Sequence, residues 1–298
     1  MSERSERIVS KGRGGRAERG DHVEGSASRS EAKPWESWWR IVAIAERHWY
    51  VLRRSPHRLF DILLWPIVDT LLFGSMAVFA ASRALTAGQQ LVAYTLAGMV
   101  LWQVVYQAQI SVSTGFLEET FSRNLLNLMA TPLREWEHVA GMALFGLAKL
   151  LCGVGMVAGL AWVAYAFDLT AMGFGLLPIA ALLLGVGWAV ALFVIGLVLR
   201  FGSGAEALAW GVMFTLMPLS GVFYPVAALP EVLQPVAAVL PTTHAFAAGR
   251  GLINDGVMQW DEVGLAAAGT AAMLAAALAF VVWMLRVFRA RGFITRYS

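Results

Sequence analysis

The chain has 298 residues, 58% of them hydrophobic and only 14% charged, with a formal net charge of +3. A soluble domain carries about 25% charged residues. The apolar residues also run in long blocks, so a water-soluble globular fold is excluded in favour of helices that cross a bilayer. The single cysteine, Cys152, excludes an intramolecular disulfide, and five scattered histidines offer no metal-ligand cluster, so no metal or other cofactor is expected on this chain.

Residues 1–34 hold eight Lys/Arg, six Asp/Glu and almost no large apolar residue. They read as a disordered tail. Interspersed acids and the lack of aromatics favour a solvated cytoplasmic extension over a nucleic-acid-binding arm. No apolar run follows the first charges, so the tail is not a cleaved secretion signal. Next comes ESWWRIVAIAERHWYVLRR, residues 36–54. At helical spacing it places Trp38, Ile41, Val42, Ala45, Trp49 and Leu52 on one face, and Glu36, Arg40, Arg47 and Arg54 on the other. This predicts an interfacial amphipathic helix with its tryptophans at headgroup depth; a helix docked on a soluble partner is the rival reading.

A transmembrane domain is expected over 35–298. A span needs about 20 mostly apolar residues. Five blocks qualify outright, at about 91–113, 139–167, 176–199, 205–225 and 263–285. A sixth, 59–80, carries Asp61, Pro66 and Asp69 but is otherwise strongly apolar. With both termini inside, twenty of the 23 basic residues fall in inside segments; Arg83 and Arg250 lie outside, and Lys149 within a span. That asymmetry sets the orientation. The expected fold is therefore an all-α integral membrane protein of six transmembrane helices.

Between the second and third spans, 117–131 sets Leu117, Phe121, Leu125 and Leu128 on one helical stripe, with Glu118, Arg123, Asn124 and Asn127 off it, before Pro132. A short amphipathic helix of this kind can seat in a partner's groove by its apolar anchors, or lie on the bilayer. Lys149 and Asp69 are ionisable groups within spans, each a candidate for substrate contact or for mutual pairing as structural glue. GVGMVAG, LLGVGWAV and GLAAAGTAAMLAAALA carry small residues that allow close helix packing, within one bundle or between subunits.

PLSGVFYPVAALPEVLQPVAAVLP, residues 218–241, holds five of the ten prolines yet remains apolar. Proline-broken chain at membrane depth must be buried in protein or line a cavity. The expectation is a re-entrant element: the fifth span runs out near Pro225, short helices such as 230–240 dip back, and PTTHAFAAGRGLINDG returns the chain to the surface. An interfacial cap of short helices is the alternative. Ser220 and Gly221 suit a sharp turn, and Tyr224 and His244 an outer interface. A Ser220–His244 hydrolase pair lacks the Gly-x-Ser-Gly setting it would need.

The segment 218–250 resembles the region before the last span of ABC-2 type transporter permeases, and LEETFSRNLLNLMATPLREWEHVAG at 117–141 is similar to that family's loop between spans two and three. The resemblance covers about 36–298. The chain itself has no G-x-x-x-x-G-K-[ST] phosphate loop, and its loops are too short for a nucleotide-binding domain. What the resemblance implies is a permease, not an enzyme, in a bacterial inner membrane. A separate ABC ATPase binds ATP and Mg and drives it, and a second permease copy or a sister permease completes the pair. Leu117, Phe121, Arg123, Asn124, Leu125 and Leu128 would form the coupling helix to the ATPase. Pro218, Ser220, Gly221, Tyr224, Pro225 and His244 would shape the path or its outer gate, for an amphipathic or lipid-linked cargo. A secondary transporter or channel is the main rival; it would normally show internal repeats with paired broken helices, and only one broken region is found.

Overall fold

The structure, a computed structural model, describes residues 34–83, 88–121, 135–201 and 206–290. Among these, every regular element is helical. In chain order they are α1 Pro34–Arg53, α2 Pro56–Arg83, α3 Gly88–Phe121, α4 Glu135–Tyr165, α5 Leu176–Phe201, α6 Glu206–Leu219, α7 Gln234–Val239, α8 Pro241–Asp255 and α9 Trp260–Ala290. Two 3-10 turns, Leu169–Gly175 and Val226–Ala228, lie between them. The ends follow local chemistry. Prolines open α1, α2 and α8, where the missing N–H costs nothing. Asp261 and Glu262 sit in the first turn of α9, and arginines end α1 and α2, each sign matched to the helix dipole. Gly256, at φ 66°, stops α8 in the left-handed conformation.

Among the described residues, five helices are long and apolar enough to cross a membrane: α2, α3, α4, α5 and α9. α3 and α5 form the centre, with 78% and 61% of their apolar windows buried, against 22%, 11% and 17% for α2, α4 and α9. The last three therefore present most of their apolar surface to the surroundings, which in a membrane protein are lipid. α5 is clasped between α3 and α9, α2 and α4 flank α3, and α8 lies against α9, α5 and α3. Leu101, Val105, Leu183, Val186, Val190 and Val194 fill the central seam. At Gly187 a Cβ would stand 2.6 Å from Ala108 Cβ and 2.7 Å from the Val105 carbonyl oxygen, so α3 and α5 meet almost backbone to backbone. Gly185 faces Thr270 of α9, whereas Gly155, Gly159 and Gly264 face open space.

Several expectations change. The predicted fifth span, 205–225, is not one helix: α6 ends at Leu219, just past Pro218. Its 14 residues reach about 21 Å, short of a hydrocarbon core of about 30 Å, so the described residues hold five helices of spanning length rather than six. The chain turns early because Ser220 and Gly221 break the helix inside the bundle. Gly221 and the backbone of Val222 meet α3 at Tyr94 and Gly98 rather than at its first residue, Gly88. The two segments 230–240 and 241–256 also differ in how far they are buried in the bundle. Val232, Val236 and Val239 are exposed, whereas 241–255 forms α8, with Thr242, Ala245, Phe246 and Ala248 buried. Prolines break the first segment into pieces too short to bury, and the second supplies a continuous small-residue face.

α1 likewise turns its face differently. Ile41, Ile44 and Leu52 are buried, and Gly141 of α4 lies against Ile44 and the Ile41 backbone. Trp38 and Trp49 point outward. Arg40, assigned to the polar side, reaches the fully buried Glu137 of α4 at 3.6 Å, and the His48 ring packs tilted against Phe145. Protein rather than lipid takes the isoleucine stripe because α4 offers both a glycine for close approach and a carboxylate for the guanidinium.

Candidate functional site

The proline-broken region is held by named polar contacts. Gly221 adopts φ 64°, a conformation glycine reaches without the Cβ clash, and so turns its carbonyl toward α3. That oxygen accepts from the Tyr94 hydroxyl at 2.6 Å and from Arg250 Nη1 at 3.0 Å. The same Nη1 donates to Tyr94 Oη at 2.7 Å, and the guanidinium lies 5.6 Å from the centre of the tyrosine ring. Three elements (α3, the turn and α8) are thus tied at one carbonyl. The cation adds a charge-assisted donor to a carbonyl that the tyrosine already engages.

One residue earlier, the Ser220 hydroxyl contacts the Leu216 carbonyl at 2.6 Å, capping α6, and Thr242 Oγ1 at 2.6 Å. Tyr224 Oη donates to the Pro218 carbonyl at 3.1 Å. Pro225 precedes the second 3-10 turn in extended conformation, and Phe223 stacks on Phe73 of α2 at 4.2 Å. Gln234 Nε2 donates to the Leu229 carbonyl at 2.9 Å. His244 closes the outermost link: Nε2 donates to the Ala238 carbonyl at 2.9 Å and Nδ1 meets Glu262 Oε2 at 2.6 Å. It ties α7 to α9 through α8. His244→Ala should free α7 without unfolding the bundle. Amide exchange at 237–240 then rises about fivefold, the equivalent of about 1 kcal/mol for a lost hydrogen bond, while exchange in α5 stays unchanged.

Of the six gate candidates, Pro218, Ser220, Gly221 and Tyr224 converge on this turn. Pro225 and His244 lie farther along the cap, and Ser220 and His244 have separate partners, so they do not form a hydrolase pair. Sequence reading passed over Tyr94, Gly98, Thr242 and Arg250, which complete the site. Arg250 did carry a signal: it is one of two arginines assigned to the side with few basic residues.

The dock candidates lie at the other end of α3. Leu117 and Phe121 belong to the last turns of that helix, so the expected separate helix over 117–131 instead begins as an extension of the span. Arg123, Asn124, Leu125 and Leu128 lie outside the described residues. Asp69 is half-buried on α2, and no ion pair joins it to Lys149 among the described residues. Lys149 has interactions of its own on α4.

A bundle of spanning apolar helices with a proline-broken segment folded against its core defines a multi-pass membrane protein. The sequence profile of the ABC-2 type transporter family matches residues 40–254, well over half of the chain. The chain belongs to that family, whose members are the membrane permeases of ABC transporters. No curated protein matches it individually.

Proposed function

We propose that the chain is the membrane subunit of an ATP-driven exporter, moving an amphipathic or lipid-linked cargo. In this reading a separate ATPase supplies ATP binding and Mg, two permeases pair around the path, and both termini face the cytoplasm of a bacterial inner membrane. The observation that carries it is the continuity of α3. One unbroken helix touches the proline-broken turn at Tyr94 and Gly98 and ends at Phe121 in the candidate dock. Its 34 residues reach about 50 Å, some 20 Å more than a hydrocarbon core needs. Movement at the dock is passed along a rigid rod to the turn, whose Gly221 hinge and Arg250 clasp then set whether the path is closed. The chain from Phe201 back to Gly221 returns to the level of Tyr94, which supports six passages with α6 as the short one. The test is co-purification with the ABC ATPase of the same transporter. Phe121→Asp together with Leu125→Asp should cut recovery of the ATPase at least tenfold while leaving the permease folded in the membrane. Unchanged recovery rejects the dock.

A further inference from the structure

α3 carries a second polar feature that the clasp does not use. Gln103, Gln107 and Ser111 recur every four residues and so stack along one face of the helix. Gln103 and Gln107 are 6% and 0% exposed. Nε2 of Gln103, both amide atoms of Gln107 and Oγ of Ser111 are buried and form no hydrogen bond within the described chain. Gln107 and Ser111 of this stripe lie against α4. A Cβ at Gly153 would stand 2.5 Å from Gln107 Nε2 and 3.1 Å from Cδ, and one at Gly146 would stand 3.6 Å from Ser111 Cβ. On another face of the same helix, polar groups are matched. Gln109 Nε2 donates to Ser113 Oγ at 3.2 Å, and Ser113 Oγ donates to the Gln109 carbonyl at 3.0 Å.

A seam built only to hold α3 to α4 would be better served by leucine or methionine, because a buried polar group without a partner disfavours the packed state. Glycines on the α4 side add proximity but no interlocking side chain that would resist separation. Amides and a hydroxyl are favoured there once water reaches them. We propose that the α3–α4 seam opens to water in a second conformation of the chain, with α4 withdrawing from Gln107 and Ser111. The packed seam is the closed state of an aqueous cleft on the side of α3 that faces α4. The link between this opening and ATP rests on the transport reading; the opening itself does not.

The test is the rate of N-ethylmaleimide labelling in native membranes, in a Cys152→Ser background. Gln107→Cys should label at least tenfold faster than Val105→Cys, which replaces a fully buried residue beside α5. Equal rates overturn the proposal. With ATP depleted, slower labelling at 107 ties the opening to the transport cycle. A rate that stays high supports the opening and counts against the ATP-driven reading instead. Gln107→Leu provides a second measure in purified protein: its thermal midpoint should rise, because the closed seam becomes fully apolar. A lower midpoint would mean that the amide is satisfied in place, and the proposal fails.

Discussion

Gly98→Ala should lower the thermal midpoint of the detergent-purified protein and abolish transport, although it adds a single methyl group in mid-helix. A Cβ at position 98 would overlap the carbonyl oxygen of Val222, and what it meets is backbone rather than the movable end of a side chain. Val222 is itself fully buried and follows the Gly221 turn. Relief therefore requires displacing the whole turn from α3, which breaks the Tyr94–Gly221 bond of 2.6 Å in the same movement. Overpacking a well-filled site costs about 1–3 kcal/mol, and the lost hydrogen bond adds about 1 kcal/mol. Alanine is otherwise the better helix former, so local propensity predicts the opposite sign. A midpoint that rose or stayed level would show that α3 and the turn are not in contact at this depth.

Arg250→Ala should be the second most damaging change. Nη1 donates to both Tyr94 Oη and the Gly221 carbonyl, so the substitution removes two charge-assisted bonds from one atom. Bonds of this kind contribute about 1.5–3 kcal/mol each where they are shielded from water. The Tyr94–Gly221 bond survives and retains part of the clasp. The expected result is a folded protein with a loosened turn: amide exchange across 219–224 accelerates strongly and exchange at 183–194 in α5 does not. Arg250→Lys should recover less than half of the protection, since a single ammonium on a flexible stem does not reproduce the planar fork over the tyrosine ring. If Arg250→Ala leaves exchange at 219–224 unchanged, the clasp does not hold the turn in solution.

Much of this architecture was legible before any coordinates. Long apolar blocks over 91–113, 139–167, 176–199 and 263–285 became α3, α4, α5 and α9, because only helices satisfy a backbone in lipid and the block length sets the span. Proline clustering marked 218–241 as broken chain, and the turn at Ser220 and Gly221 followed from their chemistry. The same composition placed the chain among multi-pass membrane proteins, and two motifs in order pointed to the ABC-2 family that the profile match then established.

What composition did not decide was which neighbour each face would meet. Hydropathy scores 205–225 as one span, but it cannot register that Gly98 leaves room on α3 for Val222 to dock and end α6 early. It marks 230–240 as the more apolar of the two segments, yet it is 241–255 that has the continuous small-residue face fitting α9, α5 and α3. The isoleucines of α1 look equally suited to lipid until α4 brings Gly141 against them and Glu137 against the neighbouring Arg40. Apolar burial has no direction, so sequence specifies that a face is covered. Close approach at glycines and the pairing of Tyr94, Arg250 and Gly221, 156 residues apart at their widest, specify by what.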